Sequence, residues 1–366
     1  MSINKQSLRA ALAMLGTIIG AGVFAIPSVF RQYGIGWGSL IYWLIAILVL
    51  VTHLLFSEVI LQKTIFRRMR LPGMVSSILG PNWGKIAFLT HPSQIIGACL
   101  AYIVLGGEFL YALGGEKIIS SVLFWQFVFW AGGAVTVLIG LNFIAKIESW
   151  LTWILVASLL MSVVLFSKIA DPNLFFQVQA EWAWSPIGIL VFSLFGLSVI
   201  PEIVELAGSK REPVHQSITF GTLGAALLMW LFGVMAYAAA PSNDTSALGY
   251  ASVLSARTRL IIPVIGFLAV ATSFITLMEG MRRMLVADAK LHKNTAKVLA
   301  LSAPLILLFI TQRNFLSIVS FIGGFFNALN AIFATVMVVR LKKIYWPLGI
   351  SGIFLLILIS RILNLT

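Results

Sequence analysis

Gly16-Thr17-Ile18-Ile19-Gly20-Ala21-Gly22-Val23-Phe24-Ala25-Ile26-Pro27 lies within an apolar run extending from about residue 8 to residue 30. A run of that length is expected to form a membrane-spanning helix, which takes about 20 apolar residues. The glycines at 16, 20 and 22 weaken such a helix. Pro27 removes a backbone donor and crowds the preceding turn, and proline is best tolerated in a helix's first turn. The spacing therefore predicts a helix that breaks near Gly20–Gly22 and restarts just before Pro27. A second run, about 184–207, carries the same interruption in Phe195-Gly196-Leu197-Ser198-Val199-Ile200-Pro201. Both hold Gly-x-x-x-Ile-Pro, as Gly22 to Pro27 and Gly196 to Pro201. Alone, Gly16-x-x-x-Gly20 would read as a small-residue packing motif between helices. The matching pair gives it another meaning.

Working outward, eleven apolar stretches are expected to span a membrane: about 8–30, 38–61, 93–113, 122–141, 149–167, 184–207, 216–240, 261–281, 297–311, 315–339 and 345–361. Composition agrees. Of 366 residues, 60% are apolar and 10% charged, with a mean hydropathy of +1.01. A soluble chain carries about 25% charged residues. A chain this apolar could not cover a water-facing surface, which excludes a soluble enzyme, a disordered protein and a disulfide-rich secreted domain. Unbroken apolar runs, rather than alternation, exclude an outer-membrane barrel. One cysteine, Cys99, forms no internal disulfide, and four scattered histidines add no zinc cluster. The first run is read as a retained helix and not a signal peptide. Lys5 and Arg9 precede it, but it continues through Val23-Phe24-Ala25-Ile26 without a small-residue cleavage site.

The net charge of +13 invites a nucleic-acid reading, which the placement of the charges rejects. With the N-terminus inside, 18 of the 25 Lys and Arg residues fall on cytoplasmic segments. Lys63, Arg67, Arg68 and Arg70 form one group, and Arg282, Arg283, Lys290, Lys293 and Lys297 another. Lys and Arg mark the cytoplasmic side, so the N-terminus is expected inside and the C-terminus outside. The second interrupted stretch is the sixth span, five on from the first, so the second half begins on the opposite side of the membrane. Paired interrupted helices in an inverted repeat are the mark of a transporter's binding site.

The first-helix stretch Gly16–Pro27 resembles that of the amino acid/polyamine/organocation superfamily. Within it, the chain is most similar to the amino acid/auxin permease family and its bacterial hydroxy- and aromatic-amino-acid permeases. Glu58 in Phe56-Ser-Glu-Val-Ile-Leu61 resembles that family's acidic position late in span two. Leu71-Pro72-Gly73 and Leu79-Gly80-Pro81-Asn82-Trp83-Gly84-Lys85 resemble its first cytoplasmic loop, and Ala271-Thr272-Ser273-Phe274 its eighth span. The resemblance implies an all-α polytopic membrane protein of the LeuT type, in which two five-helix repeats of opposite topology carry interrupted helices one and six. This places a single transmembrane domain over 1–366, with repeat one at about 8–167, repeat two at about 184–339, and an added eleventh helix at about 345–361. It also implies residence in a bacterial-type plasma membrane.

Unwound backbone inside a bilayer must face a cavity or a ligand. The half-helix restarting near Val23 presents unpaired N–H groups and the positive end of its dipole. Gly20, Ala21 and Gly22 are therefore expected to hold a carboxylate. The unwound part of span six leaves carbonyls at about Phe192, Ser193 and Phe195, which suit an ammonium group. A zwitterion uses both, so the expected substrate is an α-amino acid. Tyr102, Phe195 and Phe325 are candidates for its side-chain pocket and would favour an apolar or aromatic substrate, although most aromatics in so apolar a chain serve packing.

Thr272 and Ser273 are adjacent hydroxyls near the centre of span eight. The resemblance adds the carbonyls of Gly16, Ile19 and Ala269, making a five-oxygen site for sodium as coupling ion. The competing reading is that both hydroxyls bond back to their own helix. Span five, 149–167, holds no charged residue or histidine that could replace the ion. Proton coupling is the alternative, with Glu108, beside Gly106 and Gly107, as its candidate. Glu58 and Glu279 lie near cytoplasmic ends, where they cap or pair with bases such as Arg282. Glu202 lies in the first turn of a half-helix, where the dipole favours it, and His53 is read as packing. The expected activity is secondary active symport by alternating access. A non-transporting nutrient sensor or a channel is the alternative outside transport. No paired catalytic aspartates, H-E-x-x-H or acyl-transfer pattern supports an intramembrane enzyme. No cofactor is expected, and the partners implied are the amino acid and the lipid bilayer.

Overall fold

A computed structural model describes residues 5–139, 144–175, 183–240, 254 and 260–363. Among these the secondary structure is entirely helical. Helix α1 (Lys5–Ile18) stops where Ile19 and Gly20 leave helical geometry. A short 3-10 segment, Ala21–Ala25, follows, and α2 begins at Ile26 with Pro27 in its first turn. The second interrupted stretch behaves alike. Helix α7 (Ser185–Leu194) ends before an extended Phe195. A 3-10 turn at Leu197–Val199 leads into α8 (Ile200–Leu206), with Pro201 in its first turn. Both breaks thus sit where glycine relaxes the backbone and proline forces a fresh start.

The remaining helices are α3 (Leu71–Leu79), α4 (Pro81–Ala112), α5 (Val122–Ile139), α6 (Ile144–Ser167), α9 (Arg211–Ala239), α10 (Ile261–Ala287), α11 (Lys293–Ile310), α12 (Phe315–Phe321), α13 (Ala328–Lys342) and α14 (Pro347–Ile362). A π-helical segment, Ile322–Asn327, joins α12 to α13. Among the described residues, seven helical stretches are long and apolar enough to cross a membrane, and three shorter apolar helices accompany them.

Two boundaries depart from expectation. Spans one and two run into one another, because α2 continues from Ile26 to Gln62 and turns only at Gly34 (φ 71°, ψ 167°). A side chain rarely adopts such a positive φ, so glycine makes this corner without a loop. The stretch around Gly80, expected as loop, is a corner between α3 and α4, with Gly80 at φ 106°. Helix α4 therefore starts twelve residues earlier than hydropathy alone suggests, at Pro81.

The interior is apolar, as in a soluble protein, but so is much of the exterior. Large apolar side chains such as Ile306, Phe309 and Ile310 of α11, and Leu355 and Leu356 of α14, face outward, as a lipid solvent allows. The stretch Ser185–Leu206, which carries the second break, is the most enclosed: 89% of its apolar window is buried, against 28% for Lys293–Ile310. The broken helices are therefore central. Helix α1 packs on α9, α2 on α9 and α7, and α4 on α10.

Candidate functional site

The two breaks touch. Ser193 Oγ donates to the Gly22 carbonyl at 3.0 Å, and a Cβ built on Gly22 would stand 2.6 Å from the Ser193 Cα. Only glycine permits this approach. The Gly20 N–H is engaged by the Ile18 carbonyl at 2.8 Å, so of the three expected carboxylate donors Ala21 and Gly22 open the 3-10 segment, where N–H groups lack helical partners. On the opposite break, the Phe192 carbonyl accepts from the Phe195 N–H at 3.3 Å.

A cavity of about 30 Å³ lies between the breaks. Gly22, Phe192, Ser193, Phe195 and Tyr102 of the expected set line it. Tyr102 reaches in from α4, its hydroxyl 2.7 Å from a Cβ built on Gly20. Phe325 does not line this cavity. It stacks on Phe321 with ring centroids 5.5 Å apart and meets Phe326 edge to face. The physical reason is the π-helical segment, whose wider turn rotates side chains away from the α-helical register. It brings Asn327 to the cavity instead, and Gln94 joins from α4.

A second small cavity, about 20 Å³, is lined by Gly16, Thr17, Thr152, Leu155, Leu268, Thr272, Ser273 and Thr276. That is enough for one water-sized occupant. Gly16, Thr272 and Ser273 of the expected ion ligands meet there; Ile19 and Ala269 are not among its lining residues. Thr272 Oγ1 donates to the Leu268 and Ala269 carbonyls at 2.9 and 3.1 Å. Thr17 and Thr276 likewise donate to Ala13 and Thr272 carbonyls. Back-bonding uses the hydroxyl hydrogen and leaves lone pairs as acceptors. Hydroxyl oxygens of this kind fit a small hard cation. Thr152 is a residue the sequence reading missed. It comes from α6, whose stretch 149–167 the sequence marks only by its lack of a charged residue or histidine, and its Oγ1 would lie 2.6 Å from a Cβ on Gly16.

Below the breaks, towards the end of the bundle rich in basic residues, lies a vestibule of about 370 Å³. It shares Thr17, Ser198 and Leu277 with the central cavity, so the two adjoin. Arg70 and Glu202 pair across it at 2.6 Å, and Glu279 and Arg283 also line it. Glu279 is held by Arg282 and Arg283 at 2.5 and 2.9 Å. Asp288, just beyond α10, accepts from the N–H groups of Arg70 and Gly73, each at 3.1 Å, and so caps α3. Burial pushes the Asp288 carboxyl above its usual range, and those N–H bonds draw it back. At the other end, buried Phe24 meets Phe109 and Phe232 at 5.0 and 5.8 Å, and Phe166 meets Phe232 at 5.9 Å. Among the described residues, the vestibule thus lies at the basic end and an aromatic cluster at the other.

The remaining titratable candidates resolve as follows. Glu58 ties three helices together, pairing with Arg211 at 2.5 Å, His215 at 2.9 Å, and Lys342. Glu108 is half-buried and lines none of these three cavities. His53 is more than packing: its Nε2 accepts from the Gly196 N–H at 3.0 Å, inside the second break.

The family model for tryptophan/tyrosine permeases matches residues 4–347. The chain belongs to the tryptophan/tyrosine permease family. This permease is 23% identical over 365 residues to the protein named glutamine transporter 2 of Aliivibrio fischeri (strain ATCC 700601 / ES114), covering 93% of this chain and 90% of that one. Its fold is that of MhsT, solved in complex with L-phenylalanine, with a TM-score of 0.68 at 15% identity over 98% of both chains. Mhp1, a nucleobase-cation-symport-1 family transporter, superposes with a TM-score of 0.60 at 14% identity, covering 92% of this chain and 78% of Mhp1. The permease is thus a multi-pass integral membrane transporter of the LeuT-type fold, and its relatives are transporters and not enzymes.

Proposed function

We propose that this permease imports an α-amino acid with an uncharged side chain by alternating access, drawing on a sodium gradient. The observation that carries the reading is the contact of the two breaks around one cavity. On one side are the first N–H groups of the restarted half-helix, and on the other the carbonyl-rich end of α7. This pairing suits a carboxylate and an ammonium on one carbon. The rings of Tyr102, Phe192 and Phe195 suit an apolar or aromatic body. None of the residues lining the cavity is charged, which disfavours a charged side chain. The relatives' names, tryptophan/tyrosine permease and glutamine transporter, and the L-phenylalanine bound to MhsT, agree on uncharged α-amino acids.

The ring of hydroxyls from Thr17, Thr152, Thr272, Ser273 and Thr276 supports sodium as the coupling ion. Glu108, the proton candidate, stands apart from it. The distribution of basic residues supports a cytoplasmic N-terminus, the bacterial relative a bacterial-type plasma membrane, and the paired breaks repeats of about 8–167 and 184–339. In that orientation the vestibule faces inward. Radiolabelled uptake into proteoliposomes tests the reading. Uptake should need a sodium gradient, and Thr272→Val, Ser273→Ala or Thr152→Val should raise the sodium concentration required. Full uptake driven by pH alone in potassium or choline buffer, lost in Glu108→Gln, would replace sodium by protons.

A further inference from the structure

The central cavity has a polar floor that the aromatic walls do not explain. Asn327, on the π-helical segment, lines the cavity and is 1% exposed, and its Oδ1 is buried without a hydrogen-bond partner. Gln94, 5% exposed, lines the same space from α4. The Gln94 Oε1 is already engaged, accepting from Asn330 Nδ2 at 2.9 Å. Asn330 in turn accepts from Thr90 at 3.2 Å, so this second layer holds the floor in place and leaves Asn327 as the open acceptor. The cavity is thus lined by two kinds of hydrogen-bonding group, the backbone of the breaks and the carboxamides of Gln94 and Asn327.

A buried acceptor without a partner is uncommon in a native interior and calls for a donor. Water or the substrate's ammonium could supply one, but the ammonium is accounted for by the break carbonyls. We propose that Asn327 reads the tip of the substrate side chain, selecting uncharged side chains that end in an N–H or O–H donor over isosteres that lack one. This rests on the amino-acid reading above and narrows it, since aromatic or aliphatic bulk alone is not the selected feature. No cation lines the floor, and Arg70 of the adjoining vestibule is paired with Glu202, so an acidic tip would find amide N–H groups but no counter-charge. A carboxamide answers a carboxamide in either rotation of its amide, and a phenol or indole answers the acceptor alone.

Calorimetry on the purified full-length protein in sodium buffer tests this with two pairs, tyrosine against phenylalanine and glutamine against methionine. Within at least one pair the donor-bearing member should bind about tenfold tighter or more, the effect of leaving a buried acceptor unmatched. Asn327→Ala should bring that ratio to within about twofold while the apolar member keeps its affinity. Asn327→Asp, which keeps an acceptor oxygen, should retain the preference. Equal binding within both pairs by the unaltered protein overturns the proposal whether or not the variants fold. So does a preference that survives in folded Asn327→Ala. Binding of no amino acid at all would instead overturn the amino-acid reading, and this proposal with it.

Discussion

A Cβ built on Gly22 stands 2.6 Å from the Ser193 Cα, a backbone atom that cannot rotate away. A Cβ built on Gly20 meets only side-chain atoms, the Tyr102 hydroxyl at 2.7 Å and the Ser273 hydroxyl of α10 at 3.1 Å. The two glycines should therefore differ. Gly22→Ala forces the breaks apart, and overpacking of this kind costs about 1–3 kcal/mol. It should abolish substrate binding while the protein still folds. Gly20→Ala should weaken binding without abolishing it, because Tyr102 can swing. Calorimetric affinities and melting temperatures of both variants check the ranking; equal effects would mean that the breaks do not meet as described.

The second break is pinned from outside its own helix. His53 of α2 accepts from the Gly196 N–H through Nε2, which places the ring hydrogen on Nδ1, where Thr222 Oγ1 lies 3.2 Å away. The histidine is thus neutral and held from both sides. His53→Phe keeps the bulk but leaves the Gly196 N–H buried without an acceptor, a loss of about 1–3 kcal/mol. We expect a lower melting temperature and weaker substrate binding, with part of both restored by His53→Gln. An unchanged affinity in His53→Phe would show that the break holds its shape unaided. Helix α7 is also held by close backbone contact and by Ser320 Oγ, which donates to the Ser185 carbonyl at 2.8 Å. A Cβ built on Gly323 would stand 1.8 Å from the Gly188 carbonyl oxygen, so the π-helical segment rests directly on α7. That contact orients Asn327 towards the cavity.

Across the whole molecule, one ion pair spans the vestibule. Arg70, ahead of α3, meets Glu202 of α8, and their side chains are 13% and 25% exposed. Asp288 fixes the backbone of Arg70, so the start of α3, the end of α10 and α8 form one unit. Removing either charge strands the other in a poorly solvated site. In a double-mutant cycle, Arg70→Met and Glu202→Gln should each lower stability, and the pair together by less than their sum. A coupling of about 0.5–3 kcal/mol is expected for contacting residues. Strict additivity in thermal unfolding would mean that the pair does not join these elements.

The membrane class and the two breaks were legible in the sequence because they depend on local or summed properties. A 60% apolar chain has one compatible solvent. Gly22 to Pro27 and Gly196 to Pro201 interrupt a helix through their own backbone chemistry, whatever surrounds them. Tyr102, Phe192, Ser193 and Phe195 reach the cavity because they lie beside those breaks or on the helix facing them. The rest required the folded molecule. Of the three aromatics expected at the pocket, Tyr102 and Phe195 line the cavity, while Phe325 lies off it and Asn327 lines it instead, on the π-helical segment. Thr152 carries no signal of its own among the hydroxyls of an apolar chain until α6 packs against Gly16. His53 meets Gly196 across 143 positions, and Thr90 meets Asn330 across 240. Local sequence determines where a helix can bend, but its rotation about its axis is set by every helix packed against it. That rotation decides which polar groups meet in the cavity.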